Sequence, residues 1–458
     1  MALTPETLRK LIDEHTGDIT EELSRLNRIQ CYVNGTHDKP YVPREATEQY
    51  KKLVDRSVTN LMPMVRNAPL QQLFVDGVRS DRNTGKPVPA WDIWQANHFD
   101  LRQTQIISAA LTDGYAYGLT LPGETKDGKN VPVMRGVAAR RMYALWKDPV
   151  SDLWPEYTFT LSTSGQIDGI YDNEAFYPVT VFPSQTNSGT GESYTPPPAL
   201  GAPEFHYAGV CPVVRYAPDM DLDGNCYGEI EPNIPIQNRI NQVSFDLLRV
   251  QHYGAFQVRG FSGVSVAKDA NGRPKPIVMD PAITNVLTDP DSKPWQLSGD
   301  PLDGYILAFE TAVHHLAVAS QTPAHYLLGK LANLSADAIA AAETTLTRKV
   351  TGYKQTLGEA FEQQLRLASK LAGLDFPETA EVQWADRESR SLAQVADAIQ
   401  KLASTGVPKQ ALWAMLPNVT QTQIEEWTEL AAQQQADVID GLAETLVNGR
   451  PAADPNAQ

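Results

Sequence analysis

EIEPNIPIQNRINQVSFDLLRVQHY, residues 229–253, sets the fold that we expect for this chain. Its apolar seam is spaced by four, three, four and three residues, at Ile236, Ile240, Val243, Leu247 and Val250. This spacing predicts a helix that packs lengthwise against other helices. Polar side chains flank the seam, so we expect the helix to face solvent or a partner subunit on its other side.

A second helix with the same kind of seam is predicted at residues 302–320. Its apolar positions are spaced by three, four and three residues, at Ile306, Phe309, Val313 and Leu316. Residues 254–301, between the two helices, hold four short strand candidates separated by turns such as DANGRP, residues 269–274. A helix pair around a small β-rich module suits a structural channel better than an active-site pocket.

A loop and a very long helix follow the helix pair. Pro323 and Gly329 disfavour a continuous helix in residues 321–334. Ser335 is a good N-cap, and an apolar stripe then continues to Ala372, where Gly373 ends it. Roughly 35 residues at about 1.5 Å each give a rod of roughly 50 Å, which suits a large assembly better than one small domain.

The remaining residues predict a mixed α+β chain. Further helices are expected at 3–28, 45–62, 101–113, 391–405, 409–416 and 422–447. Strands are expected between residues 115 and 182, near 210–218 and at 381–386. Residues 185–204 are rich in Gly, Pro, Ser and Thr and predict a loop.

Composition limits the class of protein. The chain has 458 residues, enough for two or more cores, and it carries a formal net charge of −16. That charge weighs against a protein that grips nucleic acid tightly, but it is compatible with one through which DNA slides. The sequence shows neither a secretion signal nor a run of about 20 apolar residues, so we expect a cytosolic protein without a membrane span. Its three cysteines have no CxxC pairing, which argues against a disulfide framework or a zinc site.

Two segments imitate ligand-binding motifs. GETKDGKN, residues 123–130, has the spacing of a phosphate loop, but it lies between predicted strands and its Asp127-Gly128 pair favours a hairpin turn. Asp219, Asp221 and Asp223 copy the first half of a calcium loop without its final carboxylate, so they are only a weak metal candidate. An acidic turn before a helix is the preferred interpretation.

Catalytic arrangements do not stand out, so the chain is not expected to be an enzyme. One alternative remains open: a hydrolase with a dispersed site formed by His314, His315 and the acidic stretch Asp219–Asp223. Another is a structural adaptor without a channel.

Three segments, in this order, resemble the portal proteins of tailed bacteriophages. In residues 213–261 the matching places are Gly228, Glu231, Pro235, Ile236, Asn238, Ile240 and Asn241. In residues 322–350 they are Pro323, His325, Leu327, Ser335, Ala338, Ile339, Ala342 and Glu343. In residues 381–408 they are Trp384, Asp386, Ser391, Ala393 and Asp397, with a departure at Gln394.

The resemblance implies a portal-type subunit with an α/β wing, a two-helix stem, a small β-rich clip, a tunnel loop, a long kinked helix and a helical crown. The wing would combine residues 1–228 and 373–405, and the stem residues 229–253 and 302–320. The clip would be residues 254–301, the tunnel loop 321–334 and the long helix 335–372. Residues 406–458 would form the crown and a disordered tail.

The resemblance also implies a ring-shaped channel, usually dodecameric, at one vertex of the capsid. A separate terminase would package double-stranded DNA through it, and the DNA would later be ejected by the same route. Its partners would be further copies of the chain, DNA, the terminase large subunit, a head-tail adaptor and the major capsid and scaffold proteins. The protein would be assembled in the host cytoplasm and reside in the virion, with no cofactor and no membrane contact.

Candidate site residues follow from these assignments. Ile236, Ile240, Val243, Leu247, Ile306, Phe309, Val313 and Leu316 would pack the stem. The docking of partners on the clip would use Arg259, Lys268, Arg273, Lys275, Lys293 and Trp295, although these residues could equally be a solvated surface. The DNA-facing loop residues would be His325, Lys330 and Asn333. We hypothesise that Lys330 and Asn333 touch DNA phosphates weakly, and a normal length of packaged DNA in particles carrying Lys330→Glu would contradict this.

Overall fold

The fold is described from a computed structural model. The structure describes residues 4–42, 48–79, 89–124, 131–182, 198–254, 301–329, 336–385 and 392–413, and short pieces between 185 and 194, 259 and 296, and 416 and 439. The chain mixes helices and sheets, as the sequence predicted.

The helices of the described residues are α1 (Pro5–Val33), α2 (Glu48–Arg56), α3 (Met62–Leu70), α4 (Ala90–Ala96), α5 (Phe99–Asp113), α6 (Ile234–Gly254), α7 (Asp303–Ala319), α8 (Ala324–Leu328), α9 (Ala336–Ala372), α10 (Leu392–Ser404) and α11 (Lys409–Trp413). Residues 426–434 are also helical. Predicted helices are therefore confirmed for the seam pair, for the long helix, and at 101–113 and 391–405.

The longer strands are β1 (Val75–Arg79), β2 (Ala116–Leu121), β3 (Val133–Ala138), β4 (Met142–Leu145), β5 (Tyr157–Leu161), β6 (Ile167–Tyr171) and β7 (Ala175–Thr180). Four two-residue strands follow: β8 (Gln185–Thr186), β9 (Ser193–Tyr194), β10 (Ala199–Leu200) and β11 (Glu204–Phe205). The remaining strands are β12 (Val213–Tyr216), β13 (Asp219–Met220), β14 (Cys226–Tyr227), β15 (Arg259–Ser262), β16 (Lys293–Gln296) and β17 (Glu381–Trp384).

The main sheets of the described residues outside the helix pair are three, and the two-residue pairs β8-β9 and β13-β14 are additional. The largest has the strand order β10-β7-β6-β5-β4, with β11 also pairing with β7. The second has the order β12-β2-β3, and the third pairs β1 with β17. Helix α1 covers the largest sheet, because its buried Leu8 and Ile19 pack against apolar side chains of β5, β6 and β7.

The long helix α9 runs through the largest core. Its buried stripe includes Leu346, Val350, Leu357, Phe361 and Leu365, which pack against α4, α5, β12 and β17. The helix ends as predicted, because Gly373 has φ +68, a left-handed conformation that glycine adopts without strain. The predicted N-cap Ser335 lies outside the described residues.

The strands that flank residues 123–130 pair as a hairpin would require, although residues 125–130 themselves lie outside the described residues. Strands β2 and β3 on either side of the segment pair antiparallel, from Leu121 opposite Val133 to Ala116 opposite Ala138. A phosphate loop must lead into a helix whose N–H groups cradle the phosphate. Since the segment leads into an antiparallel strand, that motif is excluded here.

The helix predicted at 45–62 is wrong as a single element. Helix α2 ends at Arg56 and α3 begins at Met62, and residues 57–61 between them belong to no helix or strand. Backbone groups of Thr59 and Leu61 instead bond to side chains of α6, and this tertiary bonding outweighs local helix propensity. In the 254–301 module, β15 pairs with β16, whereas the other two strand candidates lie outside the described residues.

Candidate functional site

The two seam helices pack against each other through one apolar cluster. Ile240 of α6 and Val313 and Leu316 of α7 are at most 1% exposed, and Ile236 and Phe309 pack against them half-buried. Each fully buried aliphatic side chain contributes about 1.5–3 kcal/mol relative to exposure. This cluster therefore holds α6 and α7 together within one subunit.

The other three predicted packing residues lie outside that cluster. Val243 and Leu247 are half-buried, and Ile306 is 45% exposed. Phe245, in the same half of α6, is 1% exposed and packs against Leu53 and Val54 of α2. The C-terminal half of α6 thus uses a different face, and the packing of Ile306 stays a prediction about the assembled protein.

Helix α7 is apolar on two opposite faces. Leu307 is 66% exposed and Val318 is 78% exposed, on the side opposite the buried Val313 and Leu316. Thr311 and His314 lie between them on the same exposed stripe, at helical spacing. Thr311 and His314 make this stripe mixed, but neighbouring exposed leucine and valine side chains on one helix face are typical of a surface that binds another protein. The outer face of α7 therefore fits a surface that another protein covers.

Some polar side chains of α6 are buried and brace it inside the subunit, whereas Arg239 is exposed, as expected for a side that faces solvent or a partner. Gln237 Nε2 donates to the Thr59 carbonyl at 2.8 Å, and Asn241 accepts from the Thr59 N–H at 3.2 Å. The Asn241 amide also bonds to His37 Nδ1 at 2.8 Å, and Tyr32 donates to Asn238 at 2.7 Å. Because Gln237 and Asn241 are fully buried, these bonds fix the rotation of α6 about its axis.

A buried ion pair joins the helix pair to the long helix. Lys349 Nζ of α9 lies 2.7 Å from Glu229 Oε1, with side chains 11% and 5% exposed. Lys349 also donates to the Ser320 carbonyl at the end of α7, at 2.6 Å. Tyr353 donates to the same Glu229 oxygen at 2.8 Å, and burial together with the Glu229 charge raises the pKa of Tyr353. One lysine thus connects the start of α6, the end of α7 and the long helix.

The predicted loop begins beside this junction. Helix α8 fills part of it, and Gly329 ends α8 with φ +64. The side chain of His325 is only 9% exposed and lies 3.9 Å from Glu343. Tyr326 donates to Glu343 at 3.0 Å, and burial plus this bond raise the pKa of Tyr326 to about 12.

Within the subunit His325 contributes to the junction, because its side chain is mostly buried beside Glu343 of α9. Its contact with DNA stays a prediction. Lys330 and Asn333, the other predicted DNA contacts, lie outside the described residues.

Arg25 anchors α1 to the segment that leads into α6. Its guanidinium donates to both Glu22 carboxylate oxygens, at 2.7 and 2.8 Å, and also to Glu231. Burial would raise the pKa of Glu22, but hydrogen bonds from Arg25 and Tyr115 outweigh burial and lower it. Cavities of about 840 and 820 Å³ share Arg25 and Glu231 in their walls.

Asp113 is a buried carboxyl at the C-terminal end of α5. Burial raises its pKa to about 6, although the positive charges of Arg140 and Arg25 act to lower it. It is 3% exposed, and within the described part of the chain its Oδ1 has no hydrogen-bond partner. The folded state therefore holds this proton more tightly than the unfolded chain, whose value is near 3.8. Stability from this group is present below pH 3.8 and is lost as pH rises through 6.

Replacing Asp113 by Asn is therefore expected to stabilise the protein at pH 7 by about 2–3 kcal/mol, since each pKa unit corresponds to about 1.4 kcal/mol. The gain should shrink to near zero at about pH 4, where aspartate is protonated in the folded state. Urea unfolding of both proteins between pH 4 and 7.5 measures this. A pH-independent difference would mean that the pKa of Asp113 is the same in the folded and unfolded states, whereas a loss of stability that grows with pH would mean that Asp113 is charged and paired in the fold.

The acidic stretch was interpreted as a turn before a helix, and in the structure this turn is the tip of a short hairpin. Strands β13 and β14 pair antiparallel, and Asp221 accepts from the N–H groups of Asp223 and Asn225, both at 2.9 Å. Hydrogen bonding, first from the Asn225 side chain, lowers the pKa of Asp221. Asp221 therefore serves the turn itself.

The hydrolase alternative loses its proposed metal site. Within the described ranges, no group of three or more His, Cys, Asp or Glu side chains is placed to hold a metal ion. His315 Nδ1 accepts from Arg239 of α6 at 2.8 Å, so it serves the contact between the two helices. His314 lies on the exposed face of α7.

Only some of the predicted clip residues lie in the described part of the chain. Lys293 and Arg273 are exposed, and Trp295 is 46% exposed on β16. Arg259 begins β15, whereas Lys268 and Lys275 lie outside the described residues. An exposed tryptophan between basic residues suits a docking surface, and this role stays a prediction.

Sequence reasoning missed the junction residues Glu229, Lys349 and Tyr353. Lys349 and Tyr353 are four residues apart and therefore share one side of α9. The only local sign of a buried charge was that Lys349 directly precedes Val350, which belongs to the apolar stripe of α9. Its partner Glu229 is 120 residues away in sequence, so only the fold could identify it.

Comparison with known proteins gives similarities over most of the chain. Residues 12–437 match the family described as "Phage portal protein, SPP1 Gp6-like". The portal protein of Mycobacterium phage D29 is 25% identical over 391 residues, covering 79% of this chain and 76% of that protein. The portal protein of Mycobacterium phage L5 is 25% identical over 398 residues, with the same two coverages.

A solved structure also aligns, titled "Neck of native GTA particle computed with C12 symmetry". Its TM-score is 0.45 at 13% identity, and the alignment covers 86% of this chain and 99% of that chain. Among the helices of the described residues, none is long and apolar enough to cross a membrane.

Proposed function

Because this chain belongs to the SPP1 Gp6-like family of phage portal proteins, we propose that copies of it form a ring at one vertex of a phage capsid. Double-stranded DNA is packaged through the channel of this ring by a separate terminase, and it leaves by the same route. The observation that carries the proposal is the family match over residues 12–437. The chain itself acts as a conduit and not as an enzyme.

The geometry of the helix pair supports a ring in particular. One face of α7 is buried against α6, while Leu307 and Val318 on the other face are exposed. A neighbouring subunit that covers this face removes the apolar surface from water. Helices α6 and α7 then form the channel stem, and the buried polar contacts of α6 hold its orientation when load is applied.

The remaining parts take roles around this stem. The module at 254–301, with exposed Lys293 and Trp295, docks the terminase during packaging and a head-tail adaptor afterwards. Capsid and scaffold proteins contact the outer surface. The net charge of −16 per subunit, repeated around a ring, repels the DNA polyanion and keeps it from adhering to the wall.

Charging the outer face of α7 tests the ring. Leu307→Asp and Val318→Asp are each expected to weaken subunit association by roughly 10- to 100-fold, because a leucine or valine contributes about 1.5–3 kcal/mol when buried. Both side chains are exposed in the subunit, so the free energy of unfolding should change by less than about 0.5 kcal/mol. Negative-stain images and sedimentation velocity of the purified proteins measure association.

Tyr41→Asp is the matched control, since Tyr41 is 80% exposed but lies outside the helix pair. It should leave ring formation unchanged. If the wild-type protein forms no rings, with or without scaffold and capsid proteins, the channel proposal is wrong. If rings persist in both α7 variants, the stem contact is wrong.

A further inference from the structure

An acidic hairpin and a basic groove lie at opposite edges of the sheet β12-β2-β3. The hairpin, residues 219–227, follows β12 at one edge of the sheet. At its tip Leu222 is 89% exposed and the adjacent Asp223 is exposed as well, and Asp219 at the start of β13 is also exposed. A leucine on a hairpin tip among carboxylates is costly to leave in water and suits a contact with another protein.

Internal hydrogen bonds hold this hairpin in shape. Asp221 accepts from Asp223 and Asn225 backbone N–H groups, and its second oxygen accepts from Tyr227 at 3.0 Å. The base of the hairpin is fixed too, since a Cβ at Gly114 would lie 2.8 Å from the Cys226 carbonyl. A tip that is already ordered loses little conformational entropy on docking.

The groove borders β3, at the other edge of the sheet. Its volume is about 320 Å³, and it lies between α5 and β3. Ile106, Ala109 and Val137 supply apolar walls, and Arg102 and Arg135 supply positive charge. The groove is therefore complementary to the hairpin in both polarity and charge.

The edge of β3 beside the groove is open. Met134 donates its N–H to Asn97 and its carbonyl accepts from Arg102, so the backbone of Met134 points away from β2. Alternate residues point the same way, so Gly136 also points outward. Among the described strands only β2 pairs with β3. The Gly136 N–H and carbonyl are thus available to an incoming backbone.

We propose that the hairpin of one copy docks in the α5–β3 groove of the next copy, with Leu222 in the groove and Asp219 and Asp223 near Arg102 and Arg135. Rings need two different, complementary surfaces on each subunit, and the two edges of this sheet provide such a pair. The inference rests on the ring of the proposed function. It adds a second contact between neighbours, separate from the stem.

Variants of the full-length protein test the contact by the concentration needed for ring assembly. Leu222→Ser is expected to raise that concentration roughly 10- to 100-fold, because it removes the apolar group that fills the groove. Leu153→Ser is the matched control, since Leu153 is 66% exposed on a neighbouring turn outside the hairpin. If Leu222→Ser and Leu153→Ser raise the concentration needed for assembly equally, the docking of Leu222 in the groove is wrong.

Charge reversal gives a sharper test. Asp223→Arg and Arg135→Asp should each weaken assembly several-fold at low salt, and the double variant should restore it because every interface then carries the swapped pair. The differences should shrink in about 0.5 M salt. If the double variant loses as much assembly as the two single substitutions together, the pairing of Asp223 with Arg135 is contradicted.

Cross-linking separates failure of this contact from failure of the ring. With Cys31 replaced by Ser, Leu222→Cys and Gln105→Cys in the same chain should give a ladder of covalent multimers with a short bismaleimide. Rings without a ladder would refute the hairpin contact and leave the channel intact. A cross-link to a different phage protein in assembled particles would refute it as well, whereas absence of rings under all conditions would refute the proposed function.

Discussion

Lys349→Met is expected to lower the free energy of unfolding by about 3–5 kcal/mol, the typical cost of leaving one partner of a buried ion pair unpaired. Glu229 is 5% exposed and would keep only the Tyr353 hydroxyl and its backbone contacts. The Ser320 carbonyl, at the end of α7, would also lose its donor. Equilibrium urea unfolding of the purified subunit measures the change.

The double variant Glu229→Gln with Lys349→Met distinguishes the effect of the two charges from the effect of the volume that their side chains fill. Removing both charges should cost clearly less than Lys349→Met alone, because no uncompensated charge stays buried. Lys401→Met is the surface control: its partner Asp397 is i−4 on α10, the two side chains are 75% and 62% exposed, and the cost should be under about 1 kcal/mol. A cost for Lys349→Met as small as this control would mean that the junction is hydrated.

The same variant bears on the proposed channel. Lys349 joins the long helix to the end of α7 and to Glu229, in the segment that leads into α6. Without it, hydrogen exchange should speed up in residues 318–329 before global unfolding, since local opening no longer breaks the ion pair.

Phe361→Ala is expected to cost about 3–5 kcal/mol, the usual range for an aromatic side chain removed from a core. Phe361 is fully buried, and its ring centroid lies 4.7 Å from that of Tyr216 and 5.5 Å from that of Trp94. Phe99 and Trp384 complete the aromatic group at 6.4 and 6.2 Å. These partners come from four different elements, so the cavity would loosen all of them around α9.

Two further variants make this prediction specific. Phe361→Leu should cost less than Phe361→Ala, because leucine leaves a smaller cavity. Phe205→Ala, at a phenylalanine that is 56% exposed, should change stability by less than about 0.5 kcal/mol. If Phe361→Ala were as mild as Phe205→Ala, the core would be able to collapse around the missing ring. Thermal and urea unfolding of all three variants decide between these outcomes.

Local patterns predicted the elements whose signals lie within a few turns of chain. The seams of α6 and α7, the stripe of α9 and the glycine that ends it are short-range features, and the structure has them at nearly the predicted bounds. The family followed from the order of such features along the chain. In contrast, the helix predicted at 45–62 was wrong because residues 57–61 bond to side chains of α6 that are about 180 residues away.

Site residues divide in the same way. Ile240, Val313 and Leu316 could be predicted, because apolar periodicity marks the side of a helix that will be buried. His325 was placed at the DNA contact by resemblance alone, and its packing against α9 depends on Glu343, which lies on another element. Periodicity also cannot tell which of two apolar faces is covered inside the subunit, as α7 illustrates with Leu307 and Val318.

The sequence by itself thus determined the helix pair, the long helix and the portal family, because each depends on spacing or order along the chain. Only the tertiary structure decided that Lys349 joins Glu229 and Ser320, that Gln237 and Asn241 of α6 are buried, and that α7 keeps Leu307 and Val318 exposed. The physical reason is that hydrogen bonds, ion pairs and burial depend on distances in space. Residues far apart in sequence meet only when the chain has folded, so no local pattern records their contact.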